Sequence, residues 1–165
     1  MPTKIFVTGA SGCVGHYVAE ALASEPDAEL FLLVRDPAKF LLPLDWQRHH
    51  LVQGSLEDLD RLRPLLAEMN AVVHTATAWG DVERAQRVNV TQTLALFQAL
   101  SAKHCQKIIY FSTASVLDRD NKPLPIAAEA GTEYIRTKYE MLQRRLELPP
   151  SRSAGDALSD ISVWW

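Results

Sequence analysis

The sequence predicts a three-layer α/β sandwich built on a parallel sheet with the strand order 3-2-1-4-5. Short β-rich runs alternate with longer stretches of helical period, which is the pattern of repeated strand–helix–strand units. Most of the short runs are apolar at successive positions, as at residues 108–111, which indicates strands that are covered on both faces. Right-handed crossovers and a switch point between the first and fourth strands then give the predicted order.

The individual elements follow from the same apolar pattern. Strands are predicted at residues 4–8, 29–34, 50–53, 71–75 and 107–112. Amphipathic helices are predicted around residues 14–22 and 59–69, and longer ones at 81–102 and 132–146. If Asp60 is the N-cap of the second of these helices, Pro64 lies in the first turn, where its missing N–H costs little.

Length and composition fit one globular domain. The chain has 165 residues, of which 47% are hydrophobic and 22% charged. Residues 1–148 are assigned to the domain. Residues 149–165 are predicted to be an irregular C-terminal tail, because 149–155 are rich in Pro, Ser and Gly and the remainder shows no clear period.

Charge and cysteine content exclude several classes of partner. The net charge is −3 and no basic cluster is present, so nucleic acid is not an expected partner. No apolar run approaches the ~20 residues that span a bilayer, and no signal peptide is recognisable, so no membrane association is expected. Cys13 and Cys105 lack the spacing of a disulfide framework or zinc site, and His49 and His50 lack a third ligand. We therefore expect a cytoplasmic protein without a bound metal.

A glycine-rich loop joins the first strand to the first helix. Gly9 and Gly12 allow a tight turn and a close approach to a pyrophosphate, and Gly15 allows close helix–strand packing. The N–H groups and the dipole at the helix start attract negative charge. The sequence therefore predicts a Rossmann-type nucleotide site, and Cys13 is interpreted as a small filler rather than a reactive thiol. The predicted cofactor-binding residues of this loop are Thr8, Gly9, Ser11, Gly12, Cys13, Val14 and Gly15.

The end of the second strand is where the adenosine ribose is expected. Arg35 follows that strand, and a guanidinium there pairs with the 2′-phosphate of NADP. Asp36, the next residue, would instead accept a hydrogen bond from the 2′-hydroxyl of NAD. NADP is therefore the favoured cofactor, with NAD left open.

The glycine spacing Thr-Gly-x-x-Gly-x-x-Gly resembles the cofactor loop of the extended short-chain dehydrogenase/reductases, which include the NAD-dependent epimerase/dehydratases and dihydroflavonol-reductase-like enzymes. The segment at residues 54–58 resembles the stretch that borders adenine in this family, and the resemblance implies cofactor contacts by Ser55 and Leu56. Residues 71–77 resemble its fourth-strand segment, where Thr75, Ala76 and Thr77 would lie against the cofactor. We interpret His74 as a structural core residue.

A catalytic group is predicted from Tyr134 and Lys138, whose i,i+4 spacing puts phenol and ammonium on one helix face. The same resemblance places Thr113 at the family's catalytic Ser/Thr position and Asn89 at an asparagine that braces strands or joins a proton relay. These residues imply hydride exchange with a small-molecule carbonyl or hydroxyl substrate. The tyrosine would exchange the proton, and Lys138 would lower the cost of its anion. Lys138 is also expected to bind the cofactor.

The resemblance covers residues 4–148 and leaves the chain's end unmatched. Relatives continue with a sixth strand and a substrate-binding region, so the fifth strand is expected to be a sheet edge prone to self-association. A homodimer through the family's fourth and fifth helices, here residues 81–102 and 132–146, is the other expected association. Three functions stay open: an NADP-dependent reductase, epimerase or dehydratase; a truncated inactive fragment; or an NADP-sensing regulatory module.

Overall fold

A computed structural model describes residues 1–101, 103–147 and 161–164 of the chain. Its strands are β1 (Thr3–Thr8), β2 (Ala28–Val34), β3 (His50–Gln53), β4 (Ala71–His74), β5 (Lys107–Phe111) and β6 (Ile161–Trp164). Its α-helices are α1 (Cys13–Ala23), α2 (Leu59–Leu66), α3 (Val82–Gln86), α4 (Thr93–Ala99), α5 (Ile126–Ala130) and α6 (Glu133–Glu147). Short 3-10 turns lie at Pro37–Lys39, Leu56–Asp58 and Ala114–Val116, and a π-helical segment lies at Arg87–Gln92.

The strands form one parallel sheet in the order β3-β2-β1-β4-β5-β6. The order of the first five strands confirms the prediction. At the end of β1, Thr8 lies opposite Leu33 of β2 and His74 of β4. The loops that follow these strands therefore meet at one edge of the sheet, which is where open α/β sheets bind their ligands.

The sixth strand corrects the prediction of an irregular tail. Ile161–Trp164 pairs in parallel with β5, with Ile108 opposite Ile161 and Phe111 opposite Trp164. Four residues are too few for a strand period to be recognised beside a linker-like segment. Because β5 has a neighbour on each side, the expected exposure of β5 as a sheet edge is also wrong. The rest of the predicted tail, residues 149–160 and 165, lies outside the described residues.

Hydrophobic clusters cover both faces of the sheet. One cluster includes Phe6 and Val72 and is covered by α2, α4 and α6. The other includes Val7 and Leu30 and is covered by α1. The successive apolar residues of the strands thus point alternately into two cores, as predicted. Within the described ranges, no helix has the length and apolar content needed to cross a membrane.

Only part of the apolar spacing of α1 corresponds to its buried face. Gly15 and Ala19 are its buried residues, whereas Val14 and Tyr17 are 47% and 67% exposed. Small residues bring the helix close to β1 and to the loop before it, because no side chain separates the backbones. Val18 and Leu22 are partly buried and pack against the core, whereas Val14 and Tyr17 point away from it.

The helix after β3 begins before Asp60. The 3-10 turn at Leu56–Asp58 leads into α2, and Ser55 caps this turn. The Ser55 hydroxyl accepts a hydrogen bond from the Glu57 N–H at 3.1 Å, and the Asp58 carboxylate accepts one from the Ser55 N–H at 2.7 Å. Asp60 is therefore not the N-cap, and Pro64 lies inside α2 rather than in its first turn.

The long helix predicted at 81–102 is divided into three parts. It begins as predicted, because the Asp81 carboxylate caps α3 by accepting a hydrogen bond from the Arg84 N–H at 2.7 Å. The π-helical segment Arg87–Gln92 then separates α3 from α4, which ends at Ala99. Such π-helical turns are rare and occur frequently at functional sites. The helix predicted at 132–146 corresponds to α6, which spans Glu133–Glu147.

Candidate active site

The loop between β1 and α1 presents backbone N–H groups to solvent. Gly12 is the N-cap of α1, and no side chain caps this end of the helix. Residues 11–14 are exposed, and the Gly12 N–H bonds to the Gly9 carbonyl at 2.8 Å, which folds the loop back on itself. Free N–H groups and the helix dipole together form a site suited to an anion such as a pyrophosphate.

Glycine is required at two positions of this loop. Gly9 has a φ of +70°, and a Cβ there would lie 2.7 Å from the Thr75 hydroxyl and 2.8 Å from the Ala76 nitrogen. A Cβ on Gly15 would collide with the Gly9 carbonyl. The loop therefore packs directly against the residues that follow β4, and a larger side chain at either position would push it outward.

Thr8 lies beneath the loop. Its side chain is completely buried, and its hydroxyl lies 2.6 Å from His74 Nδ1 and accepts a hydrogen bond from the Ala76 N–H at 3.3 Å. Thr8 thus joins β1 to the loop after β4 and has no side-chain surface to offer a cofactor. The other predicted residues of this region, Thr75, Ala76 and Thr77, are partly exposed at the crevice.

His74 is the structural residue that the sequence predicts. It is 1% exposed, its two ring nitrogens lie 2.6 Å from the Thr8 hydroxyl and 2.9 Å from the Thr93 hydroxyl, and its ring stacks on Tyr110. Burial lowers the pKa of His74 to about 3, so the ring is neutral. Across the described part of the chain, no group of three or more His, Cys, Asp or Glu side chains is arranged to hold a metal ion.

An open depression of 410 Å³ lies where β2 and β3 end. It is lined by Arg35, Gln53, Gly54, Ser55, Asp58 and Arg61. Arg35 is exposed, and among the described residues no hydrogen bond or ion pair engages its guanidinium. By contrast, the Asp36 carboxylate accepts a hydrogen bond from the Ala38 N–H at 3.1 Å. Leu56, predicted here from the family resemblance, has its side chain buried in the core and unavailable to a ligand.

Tyr134 and Lys138 lie one turn apart on α6. The Lys138 ammonium is 5.7 Å from the centre of the Tyr134 ring and 4.5 Å from that of Tyr110. It donates a hydrogen bond to the Phe111 carbonyl at 2.8 Å. This bond fixes the lysine at the carboxyl end of β5, and the ammonium has two further N–H bonds to offer. The two predicted catalytic side chains are therefore together at the ligand edge of the sheet.

Burial controls the protonation of this pair. Lys138 is 2% exposed, and burial lowers the pKa of its ammonium to about 7. The half-buried Tyr134 has a raised pKa for the same reason, so its phenol is protonated in the unliganded protein. A protonated phenol is the form that gives a proton to a substrate oxygen. The reverse step requires added positive charge nearby, because Lys138 is only partly charged at neutral pH.

Thr113 follows β5 directly and caps the 3-10 turn at Ala114–Val116. Its hydroxyl accepts a hydrogen bond from the Ser115 N–H and donates one to the Ser115 hydroxyl, both at 3.3 Å. Both hydrogen bonds are long, so a substrate oxygen can compete for the hydroxyl. The side chain is partly exposed, and the turn it caps packs against α6. Thr113 is thus at the same edge of the sheet as Tyr134 and Lys138.

Asn89 lies in the π-helical segment and is 1% exposed. Its amide nitrogen donates to the Ala78 carbonyl at 2.8 Å and to the Thr137 hydroxyl at 3.0 Å. Its amide oxygen accepts from the Ala78 N–H at 2.7 Å and from the Thr77 hydroxyl at 3.0 Å. Asn89 thus connects the loop after β4 to α6, and it holds the turn of α6 that lies between Tyr134 and Lys138.

Two aromatic residues at the site escaped the sequence prediction. Tyr110 is buried under Lys138, and its hydroxyl has no hydrogen-bond partner among the described residues. Residues 108–111 of its strand are all apolar, so the sequence gives no indication that Tyr110 lies beneath Lys138. Trp79 is 67% exposed, and its ring meets that of Tyr134 edge-on at 5.9 Å between centroids. A tryptophan just after the fourth strand was the sequence feature that could have indicated a residue of the site.

Comparison with known proteins finds a family model and a reductase to which this chain is similar. A model of the NAD dependent epimerase/dehydratase family matches residues 5–146. A 2-alkyl-3-oxoalkanoate reductase from Stenotrophomonas maltophilia (strain K279a) is 26% identical over 172 residues, which cover 98% of this chain and 51% of the reductase.

Solved structures show the same fold. A short-chain dehydrogenase/reductase superfamily protein from Agrobacterium tumefaciens with bound NAD is 24% identical, with a TM-score of 0.70 over 97% of this chain and 48% of that one. UDP-glucuronic acid 4-epimerase from Bacillus cereus is 24% identical, with a TM-score of 0.64 over 86% of this chain and 51% of that one. The chain spans about half the length of the relatives that it matches.

Proposed function

The chain belongs to the NAD dependent epimerase/dehydratase family, and from this premise we propose that it exchanges a hydride between a nicotinamide cofactor and a carbonyl or hydroxyl carbon of a small-molecule substrate. The observation that carries the proposal is the placement of Lys138 beside Tyr134, with its ammonium held by the Phe111 carbonyl. A buried lysine next to a partly exposed phenol at the ligand edge of the sheet is suited to proton exchange with a bound substrate.

The residues around the crevice fit a dinucleotide. The uncapped start of α1 suits the pyrophosphate, and the close contact of Gly9 with the loop after β4 leaves no side chain in the way. Gly12, Cys13 and Val14 would hold the phosphates through backbone N–H groups, and Thr75 and Ala76 would border the nicotinamide half. When bound, the nicotinamide supplies or accepts the hydride at the substrate carbon.

The side chains of this chain perform the proton transfer. In the reducing direction, Tyr134 would give its phenolic proton to the substrate oxygen. Thr113 holds the same oxygen by a hydrogen bond. Lys138, when protonated, stabilises the phenolate that Tyr134 becomes, which favours the transfer. In the oxidising direction, Tyr134 takes the proton back from the substrate hydroxyl.

The proposed cofactor is NADP, although the names of several solved relatives record NAD. The support is the contrast at the end of β2. Arg35 is exposed and unengaged among the described residues, whereas Asp36 is committed to capping the turn at Pro37–Lys39. A free guanidinium attracts a 2′-phosphate, whereas one oxygen of the Asp36 carboxylate already accepts a backbone hydrogen bond.

The substrate class is left between two chemistries that the relatives' names record. One is a keto acid, as for the reductase, and the other is a UDP-sugar, as for the epimerase. The proposal for this chain covers reductase, epimerase and dehydratase chemistry, because all three begin from hydride exchange at a carbinol or carbonyl carbon.

Tyr134→Phe tests the proposed catalytic role, with Tyr139→Phe on the same helix as the matched control. We expect Tyr134→Phe to lower kcat by about 10²-fold or more, because the acid is lost, while NADPH affinity changes by less than about twofold. Activity is followed by NADPH consumption with 3-oxo acids and by chromatography of UDP-sugars. Equal activity in both variants would contradict the proposal, and NADPH binding without any turnover would favour a cofactor-binding module.

Association and location complete the proposal. The proposed homodimer uses the exposed faces of α6 and of the divided helix formed by α3, the π-helical segment and α4. Val82 in α3 is exposed and supports an apolar contact there. A monomer mass by light scattering at high concentration would contradict it. A cytoplasmic location is supported by Cys13 and Cys105, which are both free thiols.

A further inference from the structure

The depression beside β2 contains a second arginine that the family resemblance does not single out. Arg61 lies on α2, between β3 and β4, and lines the same cavity as Arg35. One of its terminal nitrogens donates a hydrogen bond to the Gln53 carbonyl at 2.7 Å. This bond anchors the guanidinium at the end of β3, and the remaining N–H bonds of its planar fork are left for a ligand.

The backbone at Gly54 leaves space for the Arg61 guanidinium. A Cβ on Gly54 would lie 2.7 Å from a terminal nitrogen of Arg61 and 3.2 Å from the Asp58 carboxylate. The guanidinium therefore rests directly on the glycine backbone, and any side chain at residue 54 would displace it. The position of Arg61 is thus defined by two contacts, the Gln53 carbonyl and the bare face of Gly54.

The chemistry of the cavity suits an anionic group. Its six lining residues are all polar, charged or glycine. They include two guanidinium groups and one carboxylate. The Asp58 carboxylate accepts hydrogen bonds from the Ser55 N–H at 2.7 Å and hydroxyl at 3.1 Å, and these bonds hold its pKa below the usual value.

We propose that Arg61 acts with Arg35 as a pair of cations for the 2′-phosphate of the cofactor, which makes Arg61 a specificity-determining residue. The inference rests on the proposed use of NADP. Two guanidinium groups on different elements, one after β2 and one on α2, approach a phosphate from two sides, and phosphate has enough acceptor oxygens for both.

The test compares two probes that differ only by the 2′-phosphate, 2′,5′-ADP and 5′-AMP. Binding of each to the full chain is measured by calorimetry, and the ratio of the two dissociation constants reports the 2′-phosphate contact alone. We expect Arg61→Gln and Arg35→Gln each to lower this ratio by about tenfold, and the double variant to bring it close to one. Binding of 5′-AMP should stay within about twofold of the wild-type value.

Arg63→Gln is the matched control, because Arg63 lies on the same helix but pairs with Asp60 on an exposed surface. Its ratio should equal that of the wild type. Arg61→Lys should restore only part of the ratio, since one ammonium cannot hold the Gln53 carbonyl and a phosphate with the geometry of a fork.

The outcomes separate this inference from the proposed function. A wild-type ratio near one would overturn the proposed NADP preference and the role of Arg61 together. A high wild-type ratio that survives Arg61→Gln would overturn the inference alone. Equal weakening of both probes in Arg61→Gln would also overturn it, because a residue that only supports the fold would affect the two nucleotides alike.

Discussion

Replacing Lys138 with Met should weaken the dependence of the unfolding free energy on pH. Burial lowers the pKa of Lys138 in the folded protein to about 7, from an ordinary value of 10.5. Between these two pH values the unfolded chain holds a proton that the folded protein has lost. The wild-type free energy of unfolding therefore rises with pH across this window, and a Met side chain of similar length removes that contribution.

The expected magnitude follows from the same two values. A fall from 10.5 to about 7, at about 1.4 kcal/mol for each pKa unit, corresponds to at most about 5 kcal/mol. Below pH 7 both states hold the proton and the full cost of the buried ammonium applies. The stability of Lys138→Met minus that of the wild type should therefore decrease by about 2–5 kcal/mol between about pH 6.5 and pH 10.

Urea denaturation of the unliganded protein, followed by the fluorescence of its 4 tryptophans, measures this difference. Lys122→Met, at an exposed position, is the control, and its unfolding free energy should vary with pH in parallel with that of the wild type. Because each variant is compared with the wild type, the contributions of other titrating groups cancel. Parallel curves for Lys138→Met and the wild type would refute the reasoning, because they would mean that the lysine is charged and solvated in the folded protein.

Three further outcomes are expected. Gly9→Ala should lose about 1–3 kcal/mol of stability and bind NADPH at least about tenfold more weakly, because its positive φ and its contact with Thr75 both oppose a Cβ; denaturation and calorimetry would show this, and unchanged affinity would contradict it. Asn89→Ala should lose about 2–4 kcal/mol, since Ala78 and Thr137 lose buried partners; a loss below about 1 kcal/mol in urea would show that water replaces the amide. Trp79→Leu should raise the substrate KM more than it lowers kcat in steady-state assays, because the exposed ring borders Tyr134 without carrying a proton; an unchanged KM would remove it from the site.

The sheet could be predicted because its strands are apolar on both faces. Residues 108–111 and 30–34 can be placed only as buried parallel strands, and the crossover rules then leave few orders. The placement of Tyr134 and Lys138 on one helix face followed from their spacing, whereas their catalytic role was implied by the family resemblance. The exposure of Val14 and Tyr17 could not be predicted in this way, because α1 makes its closest contact with the sheet through Gly15 and Ala19.

Other features depend on contacts between distant parts of the chain. The π-helical segment around Asn89 forms where the amide bonds to Ala78 and Thr137, residues 11 and 48 positions away. The helix propensities of neighbouring residues do not predict such long-range hydrogen bonds. Arg61 likewise reads as a surface charge on a helix, and only the fold places it beside Arg35 at one cavity. The sequence therefore indicates the residues that carry out the chemistry more clearly than it indicates the residues that position them.

The central place of β1 has a consequence for how the protein is made. One edge of β1 pairs with β2, but its other edge pairs with β4, whose residue His74 lies opposite Thr8. A ribosome releases the chain from its N-terminus, so an early nascent chain carries β1 with one row of backbone groups unmatched until residues 71–74 emerge. The buried bond between Thr8 and His74 cannot form before then. A pause in translation ahead of β4 would prolong the life of an exposed apolar strand, and codon choice or chaperone contact in the first 70 residues would bear directly on yield.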